Sequence, residues 1–267
     1  MQSDQFIQSV ASLGARAGTV AANHMHPAFS ALMKGLNTHD DPSFLRLVTG
    51  LPHPITNFVI LTNTLDAQAA TRAIEPLLQN TFPSAIFFLS NPSAEVAACI
   101  QASGFVMQPS LPAMAIDIDA LKPTSLSPGL QFKRIEAREA DAWADAMTRG
   151  YELPLGFEGE IRPTAQNTNV ANNTALQYFA ILRGGVIIAT STLYLHDGVA
   201  GIYCVATISE ERKKGLGAHL TAEPLRLAHG LGYRVGVLQA SAAGEPVYKK
   251  LGFTTYAEMP LFVRIPA

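Results

Sequence analysis

The amino-acid sequence predicts a mixed α+β fold, in which helices flank central sheets of mostly antiparallel strands. Three strand-like segments, 176–182, 186–195 and 199–206, are separated only by short glycine-containing turns, the pattern of an antiparallel meander. A helical segment and another strand follow, and this order implies a right-handed parallel crossover. Apolar residues make up 48% of the 267 residues and charged residues only 15%, so most of the chain is expected to be packed.

The charge balance and the cysteines exclude several classes of partner. Nineteen Lys and Arg residues stand against 21 Asp and Glu residues, and the net charge of −2 gives no overall attraction to nucleic acid or anionic lipid. No apolar run approaches the roughly 18 residues of a membrane span. A secretory signal begins with a positively charged region, whereas no basic residue precedes Arg16. Cys99 and Cys204 lie far apart in sequence, so neither a disulfide framework nor a zinc site built on cysteines is expected. We therefore expect a cytoplasmic protein with neither nucleic acid nor membrane as partner.

The segment 122–129 predicts a linker, because it combines two prolines with small polar residues and a glycine. It separates a strand-like segment at 113–119 from a new strand at 130–135. The linker divides the chain into an N-terminal half, residues 1–125, and a C-terminal half, residues 126–267.

Alternating strands and helices are predicted in the N-terminal half. Strands are expected at 55–62 and 85–89, and Asp66 is positioned to cap a helix between them. A second helix begins after Ser93 and ends at Gly104, a residue suited to the left-handed position that follows a helix.

Further elements are predicted in the C-terminal half. In chain order they are a helix over 137–147, an irregular loop over 150–173, the meander, a helix with an apolar stripe of Leu216, Leu220, Leu227 and Leu231, a strand over 235–240 and a short helix over 246–251. Long irregular loops often carry binding function.

The two halves resemble each other in pattern. Aligning Gly104 with Gly252 superimposes the preceding strands and helices and leaves one terminal strand after each glycine. The pattern favours an internal duplication. The alternative is that a strand, a helix and a glycine follow one another in many folds, so that the two halves need not share an origin.

The most specific local motif, residues 212–218, lies between a predicted strand and a predicted helix. Two glycines at its end allow close backbone approach to a ligand, and the free N–H groups and dipole of the following helix favour an anion. The motif comprises Arg212, Lys213, Lys214, Gly215, Leu216, Gly217 and Ala218, and it predicts a pyrophosphate site. The alternative is a solvated basic turn. A Walker loop is excluded because Ala218 and His219 follow the final glycine, and a dinucleotide fingerprint is excluded because residue 220 is Leu.

These residues resemble the GNAT superfamily of acyl-CoA-dependent N-acyltransferases over roughly residues 130–267. Arg212, Gly215 and Gly217 satisfy the family's loop signature, and Tyr248 precedes the Leu-Gly-Phe ending at Phe253 as the second family feature requires. The resemblance implies acetyl-CoA as acyl donor and an unidentified amine as acceptor. It further implies that the pantetheine arm lies along the main chain of Cys204, Val205 and Ala206.

The same resemblance implies that Tyr248 is the general acid. A phenol of pKa near 10 stays protonated at neutral pH and can protonate a departing thiolate. The alternative is an aromatic ring packed on Leu251. The general base is left open among Glu245, Glu152, Glu160 and a water chain. No histidine accompanies Cys204 in sequence, so a core cysteine is favoured over an acylated nucleophile.

No metal site is expected. The motifs His24-Met25-His26 and His39-Asp40-Asp41 lack further ligands at suitable spacing, which favours surface or core positions.

The N-terminal half resembles a degenerate GNAT lobe. Its counterpart of the glycine loop, residues 63–66, contains neither glycine nor cation, and Ile100 aligns with Tyr248. We expect a structural lobe that shapes the acceptor cleft. The alternatives to an N-acetyltransferase are a catalytically silent acyl-CoA-binding module and an interaction protein, and the chain is expected to be a monomer or homodimer.

Overall fold

The computed structural model describes residues 6–34, 36–62, 66–79, 81–161 and 175–266. Its helices are α1 (Val10–Leu13), α2 (Ala17–Asn23), α3 (Met25–Leu32), α4 (Ala67–Leu78), α5 (Ala94–Ala102), α6 (Ala140–Gly150), α7 (described over 157–161), α8 (Leu216–Gly230) and α9 (Glu245–Leu251). Its strands are β1 (Thr38–Asp41), β2 (Phe44–Val48), β3 (Asn57–Leu61), β4 (Ser84–Phe88), β5 (Val106–Asp117), β6 (Leu130–Arg134), β7 (Leu176–Arg183), β8 (Val186–His196), β9 (Val199–Thr207), β10 (Val235–Gln239) and β11 (Thr254–Arg264).

All of these strands belong to one eleven-stranded sheet in the order β1-β2-β3-β4-β11-β5-β10-β9-β8-β7-β6. The pairs β3/β4 and β9/β10 are parallel, and the other neighbours are antiparallel. The predicted mixed, mostly antiparallel fold with a strand-helix-strand crossover is confirmed.

The last strands of the two halves are exchanged within this sheet. Strand β11 lies between β4 and β5, so both of its neighbours come from the N-terminal half. Strand β5 in turn pairs with β10 of the C-terminal half. The predicted boundary at residue 125 remains a prediction, because the sheet is continuous across it.

Apolar side chains cover both faces of the sheet. On one face, α1, α2, α3 and α6 join a single buried cluster that draws on both halves of the chain, with Ala21, Leu45, Trp143 and Val237 among its members. On the other face, α8 and α9 pack in one cluster and α4 and α5 in another. The two halves therefore share one core on the first face and keep separate cores on the second.

Helix ends follow the local chemistry of the sequence. The Asp66 carboxylate accepts from Ala69 N at 2.7 Å, and the Ser93 hydroxyl accepts from Val96 N at 3.2 Å. Gly104 and Gly252 adopt φ of +85° and +110°, which L side chains disfavour. These caps and the left-handed glycine after α5 confirm the sequence predictions.

Three expectations were wrong or incomplete. Residues 157–161 are helical, because the buried Phe157 and Ile161 lie one turn apart on one face, whereas an irregular loop was expected. Residues 162–173 of that loop lie outside the described residues, as do 63–65. Leu227 and Leu231 are about half exposed, because the helical repeat turns Leu225 and Ala228 toward the core instead. Helices α1–α3 and strands β1 and β2 were not predicted at all.

The linker 122–129 forms neither helix nor strand. Within the described ranges, no helix is long and apolar enough to cross a membrane.

Candidate active site

Strands β9 and β10 separate soon after they meet. Their parallel pairing is limited to Ala200 with Gly236 and Gly201 with Val237. Beyond this point β10 continues along β5 as far as Gln239, while β9 continues along β8. A gap therefore opens between residues 202–207 of β9 and the end of β10, and we call it the β9/β10 cleft.

A bulge in β9 lies beside this cleft. The pairing of β8 with β9 shifts between Thr190 and Thr192, and Cys204 adopts a φ of +51°. The Thr190 hydroxyl donates to the Cys204 carbonyl at 3.1 Å and fixes the bulge. A bulge re-aims the backbone, so polar main-chain groups of residues 204–206 are available at the edge that β10 has left.

The thiol of Cys204 is not poised for nucleophilic attack. Burial raises its pKa to about 12, with the nearby Thr192 hydroxyl opposing the shift. At neutral pH the group is a thiol and not the nucleophilic thiolate. This agrees with the interpretation of Cys204 as a packed cysteine.

The glycine loop ends β9 and begins α8. Gly215 is the N-cap of α8 with a φ of +78°, and no side chain among the described residues caps that end. The first amide of the helical ladder is His219 N, which donates to Gly215 O at 3.1 Å. The N–H groups of residues 216–218 are therefore left to donate hydrogen bonds to an anion from outside the helix. A Cβ at Gly217 would meet only Val205 Cγ1, at 3.5 Å, so the fold itself leaves room there.

The three cations of the loop differ in their surroundings. The Arg212 guanidinium donates to Gly150 O at 2.9 Å and Thr207 O at 3.2 Å and pairs with Glu152 at 2.7 Å, which ties the end of α6 to the end of β9. Gly150 is required at this junction, because a Cβ there would lie 2.8 Å from the Ala206 Cβ.

The other two cations are lysines. Lys214 donates to Glu210 O and to the Glu211 carboxylate, both at 3.0 Å. Lys213 is exposed with a φ of +62°, and within the part of the chain that the structure describes its ammonium has no partner. Of the three, Lys213 is the cation that remains available to a phosphate.

Tyr248 lies in α9, on the α8 side of the sheet. The residue is 9% exposed, and burial raises its pKa to about 12 against the opposing effect of the neighbouring Thr221 hydroxyl. Thr221 in turn donates to Gly217 O at 2.9 Å, so one threonine links the tyrosine to the glycine loop. Gly244 leaves space for the phenol ring, since a Cβ there would lie 2.9 Å from Tyr248 Cε2. The phenol is thus protonated and close to the loop.

A second tyrosine approaches the same region and was missed by sequence reasoning. Tyr151 follows the last residue of α6, on the opposite face from Tyr248. Burial of its phenol, with Cys204 and Tyr248 nearby, raises its pKa well above the usual value, although 39% of the residue surface is exposed. The only sequence signal was its position at the start of the long loop.

None of the proposed carboxylates stands out as the general base. Glu152 is held by Arg212 at 2.7 Å, and Glu245 is held by Lys249 at 2.6 Å. Glu160 is exposed on α7. The geometry therefore singles out none of these three carboxylates over a water chain as the base.

His24, from the N-terminal half, reaches the floor of the β9/β10 cleft. Its Nδ1 shares a hydrogen bond of 2.7 Å with the Tyr203 hydroxyl, and the two rings stack with centroids 5.9 Å apart. Burial and the nearby His196 lower the His24 pKa to about 3, so the ring is neutral. Nothing in the sequence pointed to this pair. His26 lies 3.6 Å from Asp40, and the described ranges hold no group of three or more metal-ligating side chains.

The splayed β9/β10 pair, the bulge at Cys204 and the glycine-rich start of α8 are the arrangement that the sequence resemblance to GNAT proteins implied. Residues 141–253 match the model of the acetyltransferase (GNAT) family. The GNAT resemblance drawn from the sequence motifs is confirmed over these residues.

Solved structures share the fold over both halves. A GCN5-related N-acetyltransferase from Kribbella flavida is 17% identical, with 92% of this chain and 95% of that chain covered at a TM-score of 0.60. A GCN5-related N-acetyltransferase from Sphaerobacter thermophilus is 12% identical, with 93% and 94% covered at a TM-score of 0.61. A conserved protein of unknown function from Staphylococcus epidermidis is 13% identical, with 90% and 98% covered at a TM-score of 0.60. A comparison with curated proteins finds no match. At these identities the likeness concerns the fold alone, and it extends to the arrangement of two joined halves.

Proposed function

We propose that the protein is an N-acetyltransferase that moves an acetyl group from acetyl-CoA directly to the amine of a small molecule. The observation that carries this proposal is the β9/β10 cleft, which leads from the bulge at Cys204 to the uncapped start of α8. A cleft edged by free main-chain groups and ending at an anion-binding helix start suits a long ligand with a pyrophosphate at one end.

The cofactor would lie along β9. The N–H groups of residues 216–218 and the Lys213 ammonium would hold the pyrophosphate, while the main chain of 204–206 would bind the pantetheine amides. Arg212 would support the loop from behind, because its guanidinium is directed at Gly150, Thr207 and Glu152. The proposal therefore gives Arg212 a positioning role toward acetyl-CoA.

The acetyl group would pass directly from acetyl-CoA to the amine, with no acyl-enzyme intermediate. A neutral amine attacks the thioester carbonyl and forms a C–N bond, and the C–S bond then breaks. The departing CoA thiolate takes a proton from Tyr248, whose raised pKa keeps it protonated at neutral pH. A base or a water chain removes the surplus proton from the amine nitrogen and returns a proton to the phenolate, so the balance closes.

The acceptor would enter on the α6 side of the sheet. Tyr151 borders the cleft there, and a Cβ at Gly156 would lie 3.9 Å from Leu51, so the loop after α6 touches the N-terminal half. A cleft enclosed by both halves favours a small amine over an extended peptide, which would need an open groove.

A second candidate is a catalytically silent acyl-CoA-binding module. The observation in its favour is that Glu152 and Glu245 are both engaged in ion pairs. Such a module would bind acetyl-CoA with no turnover on any amine.

The test has two stages. Calorimetry with CoA and acetyl-CoA establishes binding, and thiol release is then followed over a library of small amines and short peptides. Binding with amine-dependent thiol release supports the enzyme, binding without release under any condition supports the module, and absence of binding contradicts both.

A further inference from the structure

The closed end of the β9/β10 cleft is filled by the side chains of Tyr203, His24 and Gln239. The proposed acetyl transfer assigns no role to them. Tyr203 of β9 lies one residue before the bulge and is 6% exposed. Its hydroxyl shares a 2.7 Å hydrogen bond with His24, and the side chain of Gln239, the last residue of β10, lies close enough to lower the pKa of this phenol against the larger effect of burial. Tyr203 and Gln239 thus meet across the point where the two strands part.

The N-terminal half holds this cluster in place. Gln239 Nε2 donates to the Ala21 carbonyl of α2 at 2.6 Å. His24 occupies the space that a side chain at Gly201 would fill, since a Cβ there would lie 2.4 Å from His24 Cε1. Phe29 of α3 contacts the Tyr203 ring edge-on, with centroids 6.0 Å apart. Because His24, Gln239 and Phe29 surround it, the Tyr203 ring has little freedom to move aside.

The direction of the acyl group follows from the cofactor position and so rests on the proposed function. With the pyrophosphate at residues 216–218 and the pantetheine beside 204–206, the chain of the ligand runs back along β9. Carbon atoms beyond the thioester continue toward Gly201 and Val237, where the strands pair again. In that direction the next side chains are Tyr203 and Gln239.

We infer that Tyr203, fixed by His24 and Gln239, determines the length of the acyl group that the protein accepts. The site admits acetyl and rejects medium-length chains such as hexanoyl, because a longer chain would have to displace a packed and hydrogen-bonded tyrosine. The N-terminal half thereby acts on donor specificity as well as on the shape of the acceptor cleft.

Binding of three probes to the full chain tests this inference without an acceptor. We expect CoA and acetyl-CoA to bind comparably in calorimetry, and hexanoyl-CoA to bind roughly tenfold more weakly or worse, the scale of overpacking a filled site. Tyr203→Ala should remove this discrimination by tightening hexanoyl-CoA binding while the binding of CoA itself changes little. Gln239→Ala should shift the ratio in the same direction and serves if Tyr203→Ala fails to fold.

The matched control is Tyr194→Ala. Tyr194 lies in the same aromatic cluster, with its ring 5.5 Å from His24, but on β8, which does not border the cleft. This variant should keep the parent ratio of hexanoyl-CoA to acetyl-CoA affinity. Equal binding of both thioesters by the parent, or a penalty that neither Tyr203→Ala nor Gln239→Ala relieves, would overturn the inference and leave the proposed function standing. Failure of the parent to bind even CoA would overturn both.

Discussion

Leu111 of β5 lies directly opposite Met259 of β11, and each is the seventh residue after the left-handed glycine that ends the preceding helix, Gly104 or Gly252. Equivalent positions of the two halves therefore meet at the centre of the sheet. This relationship is that of a pseudo-twofold arrangement in which each half gives its last strand to the other. It supports the interpretation of the sequence pattern as a duplication.

The strand exchange predicts that the C-terminal half does not fold alone. In a fragment of residues 126–267, β11 would lose β4 and β5, which are both of its neighbours. Unpaired backbone groups and the apolar face of β11 would then be exposed. We expect the fragment to aggregate or to lack a cooperative unfolding transition by circular dichroism.

Coexpression supplies the control for that experiment. Residues 1–125 and 126–267 produced together should form a soluble one-to-one complex, because each restores the missing strand of the other. A fragment 126–267 that is monomeric, cooperative in unfolding and active by itself would show that the N-terminal half is dispensable.

Gly217→Val should abolish CoA binding while leaving the fold largely intact. The new side chain would project from the first turn of α8, where a Cβ meets only Val205 Cγ1 at 3.5 Å, so it would occupy the space of the ligand. Calorimetry with CoA measures the effect. Gly230→Val is the matched control, because a Cβ at Gly230 meets nothing within 4 Å at the other end of the same helix. Undiminished CoA affinity of Gly217→Val would place the pyrophosphate elsewhere.

Tyr248→Phe should lower kcat by about 10² to 10⁴, the usual contribution of a general acid, with CoA affinity nearly unchanged. The ring keeps its packing against Phe253, with centroids 6.1 Å apart. Burial raises the pKa of Tyr248 to about 12, so the parent enzyme should show no loss of kcat from ionisation of this residue between pH 7 and pH 10. Steady-state kinetics across pH test both statements. An unchanged kcat for Tyr248→Phe throughout this range would assign the proton to water or another group.

Acid should destabilise the protein through His24. The folded-state pKa is lowered from 6.5 to about 3 by burial, so below pH 6.5 the unfolded chain binds a proton that the folded chain does not. The free energy of unfolding therefore falls as pH decreases, by about 1.4 kcal/mol per pH unit from this one residue. Between pH 6.5 and pH 5 we expect a loss of about 2 kcal/mol.

The measurement for His24 is urea denaturation at several pH values. His24→Asn lowers stability at pH 7 but should flatten the decline between pH 6.5 and pH 5 relative to the parent. His26→Asn, two residues further along the chain and beside Asp40, is the matched histidine replacement. Parallel slopes for the parent and His24→Asn would mean that His24 is protonated in the folded protein.

Features that depend on neighbours in sequence were predictable. The caps at Asp66 and Ser93, the turns at Gly184-Gly185 and Asp197-Gly198, and the glycine loop all follow from backbone conformations and hydrogen bonds within a few residues. Tyr248 was found because a short helix with a family-like ending surrounds it. The sequence by itself therefore determined the mixed fold, the order of the elements from β3 onward apart from α7, and the loop suited to a pyrophosphate.

Only the tertiary structure decided which distant segments meet. Strand exchange depends on pairing between β11 and strands more than a hundred residues earlier, and no local pattern encodes such a partner choice. His24 reaches Tyr203 for a similar reason: Gly201 lacks a side chain, and the ring of a residue far away in sequence fills that space. Likewise, Arg212 turned toward Gly150 because folding brings the end of α6 against β9. Burial, and with it the pKa values of Tyr248 and His24, exists only once both halves have packed on one sheet, since desolvation is a property of the assembled core.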